Sequence, residues 1–204
     1  MVALEAVRGR VSSVAHGFRP MQEEASEIVE VSTVRESLSA AEELYASDVF
    51  QVRMVSVFVL GSVAARSPSA LRIMRRRVSS DPSWQVQEVL AKAFDRYCKD
   101  AGYERALPAI EEWLGDENPN VRRAATEGLR IWNRRDFFRE HPDVAVRMLA
   151  GLKGDPSLYV RRSVGNALRD VSRTESGLVA EELATWDRSD SAVGVTYALA
   201  SRLL

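Results

Sequence analysis

Trp84 and Glu88 stand four residues apart in the stretch "DPSWQVQEVLAKAFDRYC" (81–98), and Asp95 follows seven residues later. On a helix the first two are one turn apart and can touch, while Asp95 lies about two turns deeper, roughly 10 Å along the axis. A carboxylate beside an indole face suits a cationic base or a sugar. The π face attracts a cation, and the carboxylate stabilises positive charge that develops as a glycosidic bond lengthens. A plainer role is also open to these residues: a tryptophan at a helix start packs, and Glu88 and Asp95 pair with Lys92, Arg96 or neighbouring arginines.

A second chemistry sits downstream. "ENPNVRRAATEGLRIW" (117–132) and "YVRRSVGNALRD" (159–170) each carry two adjacent arginines at the start of a helical pattern. Neighbours on a helix point about 100° apart, so the two members of a pair do different work. The first of each (Arg122, Arg161, and Arg53 upstream) resembles the ladder residue of a HEAT repeat, which implies a bond to the cap acid of its own or the next repeat. The second lies on a stripe opposite the apolar face. Across three helices this stripe reads Glu88, Arg123, Arg162; then Lys92, Glu127, Asn166; then Asp95, Arg130, Arg169. Guanidinium forks at Arg123, Arg130, Arg162 and Arg169 suit phosphate oxygens recurring along a track. Solvated helix faces, with the arginines paired to Glu127 and Asp170, are the competing reading.

The elements that must hold these residues follow from a repeat. Val52, Val86, Val121, Val160 and Val195 are spaced by 34, 35, 39 and 35 residues. Five residues before each stands Ser47, Asp81, Asp116, Asp155 or Asp190, all good N-cap types. Apolar or small residues follow each valine at three, four, seven and eight places in most units, the stripe of an amphipathic helix. Between these helices lie shorter helical patterns at 67–78, 103–115, 142–154 and 176–186, and Gly115 and Gly154 stand where a helix end favours a left-handed residue. Each unit is thus a helix pair that buries its stripe only by stacking on its neighbours. The expected fold is all-α: a right-handed α-solenoid of HEAT-like helix pairs, C-shaped with a concave groove. A single repeat domain spans 1–204, with irregular capping helices over 1–46 and repeats over about 47–204.

Bulk properties narrow the classes. The chain has 204 residues, 46% of them hydrophobic, and a net charge of −1, so affinity for a polyanion must come from a local patch. Residues 118–173 carry twelve Lys/Arg against six Asp/Glu, whereas 21–50 carry eight acids and one arginine. Cys98 is the only cysteine, and His16 and His141 are far apart, which argues against disulfides and a metal cluster. No cofactor is called for. The absence of a long apolar run or secretory core makes a cytoplasmic, monomeric protein without membrane contact the expectation.

"WQVQEVLAKAFDRYC", "ENPNVRRAATEGLRIW" and "DPSLYVRRSVGNALRD" together resemble the HEAT-like repeat DNA alkylation-repair glycosylases of the AlkD/AlkC superfamily, over roughly residues 40–175. The resemblance implies a C-shaped solenoid that holds double-stranded DNA in a basic groove and excises cationic N3- and N7-alkylated purines. It matches Trp84 and Glu88 to the family's tryptophan-plus-acid element and Arg123 to its backbone-facing arginine. Asn166 stands where the best-known branch carries a second aromatic. Catalytic candidates are therefore Glu88, Trp84 and Asp95, and DNA-binding candidates are Arg123, Arg162, Arg130, Arg169, Asn166 and Lys92. A non-catalytic DNA-structure binder and a HEAT-type protein scaffold remain open as alternatives.

Overall fold

The structure, a computed structural model, describes residues 4–130 and 132–204, and among these only helices and turns occur. Residues 1–3, the start of the expected capping segment, lie outside them. The chain divides into two compact units, Met1–Ala101 and Gly102–Leu204. None of the described helices is long and apolar enough to cross a membrane.

In the first unit, α1 (Leu4–Val11), α2 (Arg19–Glu30) and α3 (Val34–Tyr45) precede α4 (Phe50–Val63), α5 (Pro68–Arg76) and α6 (Trp84–Ala101). The apolar run "VRMVSVFVLGSV" makes α4 the centre of this unit. Eleven of its residues are buried, because α2, α3, α5 and α6 pack around it. The N-terminal segment before α4 thus holds three helices, and α2 and α3 pack against α4. A Thr33–Glu36 capping box starts α3. Ser56 Oγ donates to the Ala41 carbonyl at 2.6 Å, and Gln51 Nε2 donates to the Val14 carbonyl at 3.1 Å. Arg10 reaches across from α1 to the buried Glu24 of α2.

The second unit contains α7 (Tyr103–Leu114), α8 (Pro119–Gly128), α9 (Asp136–Glu140), α10 (Pro142–Ala150), α11 (Leu158–Val171), α12 (Ser176–Ala184) and α13 (Ser191–Ala200). Here α8 packs on α7 and α11, and α11 packs in turn on α10 and α13. The 39-residue spacing between Val121 and Val160 has a physical source: a 3-10 turn at Trp132–Arg134 and the short α9 are inserted there. Trp132 and Phe138 fill the interior beneath this insertion, their ring centroids 4.7 Å apart.

Four anchor valines behave as the repeat requires. Val52, Val86, Val121 and Val160 are fully buried, each two residues after the start of its helix. The fifth does not. Val195 is 36% exposed whereas Val193, two residues after the start of α13, is 7% exposed. Val193, Thr196 and Ala200 form the inward stripe, and Thr196 Oγ1 donates to the Lys153 carbonyl at 2.6 Å. The last anchor is thus two residues earlier than the spacing suggested. Gly165 explains the tight fit there. A Cβ at that position would sit 2.6 Å from Leu199 Cβ and 2.9 Å from the Thr196 carbonyl oxygen, so only glycine lets α13 approach α11 this closely.

The residues five before the anchors also act differently from expectation, with Asp190 the exception as the N-cap of α13. Asp81 Oδ1 accepts from the Ser83 N–H at 2.9 Å, Asp116 Oδ1 from Asn118 at 2.8 Å, and Asp155 Oδ1 from Ser157 at 2.8 Å. Ser47 Oγ accepts from Val49 N–H at 3.1 Å in the same way. A short polar side chain bonding the backbone two residues on closes a turn before the helix, and prolines at 82 and 156 fix the intervening φ. The cap itself falls on Val49, Asn118 and Ser157. Nor do Gly115 and Gly154 adopt the left-handed conformation; Gly115 has φ −93°, and Gly102, with φ 87°, fills that role just before α7.

Candidate nucleic-acid interface

The paired arginines separate in the structure. Arg122 is buried, and its Nε and Nη2 donate to Asp155 Oδ2 and Oδ1 at 2.6 and 2.8 Å, while Nη1 donates to the Asp116 and Glu117 carbonyls at 2.7 and 3.0 Å. Arg53 repeats the arrangement, with bonds to Asp81 at 2.8 and 3.0 Å and to the Ser47 and Asp48 carbonyls. Each guanidinium thus ties the loop before its own helix to the carboxylate of the next repeat, as expected of the arginine that follows an anchor valine. Arg161 keeps only the carbonyl half, donating to Asp155 and Pro156. In the repeat of α6, Gln87 stands at this position and spends its amide on the Ser79 and Asp81 carbonyls at 2.9 and 3.0 Å.

Asp81 also accepts from the Tyr45 hydroxyl at 2.9 Å. Burial works against its charge, but the Arg53 bonds, the Ser83 N–H and the Tyr45 hydroxyl outweigh burial and hold its carboxyl below the usual carboxylate range. Tyr45 is pushed the other way, well above an ordinary phenol, by its burial and then by the Asp81 carboxylate.

Of the site candidates, Trp84, Glu88, Lys92 and Asp95 lie on the continuous α6 of the first unit. At 100° per residue, Trp84, Glu88 and Asp95 fall within about 40° of one another, opposite the buried Val86, Val89 and Ala93. Trp84 is 65% exposed, Glu88 and Asp95 are half-buried, and Lys92 is exposed with its Nζ 5.3 Å from the Phe18 ring centroid. An open indole with carboxylates on the same helical face can hold a cationic or electron-poor group.

The remaining candidates lie in the second unit. Arg162 is exposed on α11, and Asn166, one turn later, is half-buried. Arg123 is 6% exposed, and its guanidinium lies 4.1 Å over the Tyr159 ring. Tyr159 itself is 48% exposed, so the pair presents an aromatic surface backed by a fixed cation. Reasoning from sequence passed over Tyr159, although it immediately precedes the anchor Val160. Arg130 lies beyond the end of α8, which stops at Gly128, and donates to Asp170 Oδ2 at 3.0 Å. Arg169 approaches the same carboxylate at 3.1 Å and Arg173 at 3.8 Å, while Glu127 accepts from Ser163 Oγ at 2.6 Å. Asp170 thus gathers three guanidinium groups, Glu127 lies 3.9 Å from Arg130 as well, and the two acids leave one guanidinium in excess. The stripe is partly paired, as the competing reading held, and most open at Arg162.

Comparison with known proteins identifies the family. The family model for the DNA alkylation repair enzyme matches residues 19–201. The crystal structure of AlkD2 from Streptococcus mutans superposes with a TM-score of 0.96 at 44% identity, covering 98% of this chain and 97% of that one. The alkylpurine DNA glycosylase AlkC of Pseudomonas fluorescens, bound to DNA containing an abasic site analogue, shares the fold at a TM-score of 0.53 and 22% identity, over 98% of this chain and 61% of AlkC. An uncharacterised Bacillus subtilis protein, YhaZ, is 33% identical over 87 residues, 41% of this chain and 24% of its own length. Matched over nearly its whole length, the chain belongs to the DNA alkylation repair enzyme family.

Proposed function

We propose that this protein binds duplex DNA and removes cationic N3- or N7-alkylated purines by hydrolysing the N-glycosidic bond. The observation that carries the reading is Trp84, largely exposed at the first turn of α6, with Glu88 one turn along the same face. Family membership supports alkylated DNA as the substrate, and AlkC, which shares the fold, is an alkylpurine DNA glycosylase. In this reading a water oxygen forms the new bond to the deoxyribose C1′ as the bond from C1′ to the base nitrogen breaks. The departing base keeps the electron pair and loses its positive charge, and Glu88 takes the proton released by water. Trp84 packs on the lesion or sugar, and Asp95 adds negative potential deeper on α6. The leaving group is already cationic, so the protein has only modest transition-state stabilisation to supply. In the second unit Arg162 grips phosphate directly, Arg130 and Arg169 do so from their shared Asp170, Arg123 backs the Tyr159 surface and Asn166 stands one turn from Arg162; in the first unit Lys92 offers a separate phosphate contact on α6.

The test is base release from methylated DNA. Wild-type protein should liberate 7-methylguanine or 3-methyladenine, and Glu88→Gln should slow release about 100-fold or more while DNA affinity stays nearly constant. Wild-type protein that releases no base, yet binds DNA in a salt-dependent way, would replace catalysis with the non-catalytic DNA-binding reading. No DNA binding at low salt would point to the protein scaffold.

A further inference from the structure

Residues 49–80 contain six arginines and neither aspartate nor glutamate. Arg53 is committed to Asp81. Arg66, Arg72, Arg76 and Arg77 are exposed, and the first of these just precedes α5. On α5 itself Ser69, Arg72 and Arg76 fall within about 60° of one another, directly opposite the fully buried Ala70 and Met74. The stripe cannot turn inward without expelling Met74 from the core. Two guanidinium groups of the segment, one on the stripe and one just past the helix, are already oriented. Arg72 Nη2 donates to Ser69 Oγ at 3.0 Å, and the Arg77 guanidinium lies 4.7 Å over the Tyr45 ring.

We infer that the arginine face of α5 is a second phosphate-backbone contact for nucleic acid, lying in the first unit and separate from the arginines of α8 and α11. Basic residues at the end of a helix also complement its dipole, which accounts for Arg76. It does not account for Arg66, ahead of the helix, or for Arg72 in its middle. An acidic protein partner is the less fitting occupant, because stable protein interfaces centre on a buried aromatic or aliphatic anchor and this stripe exposes none. Forked guanidinium groups without competing acids in the segment suit phosphate oxygens. No asparagine or glutamine stands on the stripe to read base edges, so the contact is indifferent to sequence. The inference rests on DNA being the ligand and is independent of base excision.

Binding of a labelled undamaged duplex, measured by fluorescence anisotropy over a salt series, tests it. Arg72→Ala with Arg76→Ala should weaken binding about 10-fold and lower the slope of log affinity against log salt by about 2, against about 1 for Arg162→Ala. The double lysine variant at the same positions should keep most of the slope, which separates charge from any structural role. The melting midpoint of both variants should stay within a few degrees of wild type. Unchanged affinity and slope in the double alanine variant, with Arg162→Ala weakened, overturns the α5 contact and leaves the α11 contact standing. Loss of binding in the lysine variant equal to that in the alanine variant also overturns it. A wild-type protein that binds no duplex at low salt overturns both.

Discussion

The Tyr45–Asp81–Arg53 cluster couples the titration of two side chains to folding, with opposite signs. Folded Asp81 binds its proton less readily than the unfolded chain does, where a free aspartate titrates near about 3.9. Its stabilising contribution is complete above that range and is lost as pH falls through the depressed folded value. Tyr45 has the opposite sign. Its folded pKa is raised above the free phenol value of about 10, so its contribution is complete below that and is lost as pH rises through the folded value. Urea midpoints followed across pH should therefore fall at both extremes. Tyr45→Phe should shrink the alkaline fall relative to wild type; an identical alkaline limb in the variant would show that the hydroxyl titrates without reference to folding.

Among the elements, α13 offers the sharpest check on packing. Val193 is inside and Val195 outside, so Val193→Ala should cost about 1–3 kcal/mol and Val195→Ala less than about 0.5 kcal/mol in chemical unfolding. The reverse order would mean that α13 packs in the register suggested by the 35-residue spacing. That slip marks where the sequence stops being legible. Val86, Val121 and Val160 were readable because each heads a stripe of helical period with a polar opposite face, and Val52 because it lies 34 residues before Val86, in step with the repeat. Residues 193–204 are apolar on several faces, "VGVTYALASRLL", and periodicity alone does not choose between two valines two places apart. The role of Arg53 and Arg122 was likewise legible, through their likeness to the ladder arginine of a HEAT repeat. Asp170 was legible as a pairing acid, but not as the one carboxylate at which Arg130, Arg169 and Arg173 meet. That arrangement depends on α8 ending at Gly128, so that Arg130 leaves the helical stripe it would otherwise continue. Trp84 and Glu88 were legible as a one-turn pair, whereas the pairing of Arg123 with Tyr159 joins two helices and needs their packing to be seen.

At the scale of the molecule, a net charge of −1 conceals strong segregation. Eight acids fall within 21–50, six arginines and no acid within 49–80, and twelve basic residues against six acids within 118–173. A nearly neutral protein arranged this way presents local fields of both signs, and its association with a polyanion depends on salt far more than its net charge implies. The acidic N-terminal helices also restrict where such a ligand can lie, since phosphate is repelled from the carboxylates of α2 while it is drawn to arginines elsewhere.

Trp84 has an optical consequence. Of four indoles, Trp113, Trp132 and Trp186 are enclosed and Trp84 alone stands in solvent. Dissolved iodide should extinguish one emitting component, the red-shifted one, and leave the other three nearly dark to the quencher. A duplex laid across α6 should restore that component's brightness against iodide, whereas one held only by the arginines of α5 or α11 should leave the quenching curve where it was.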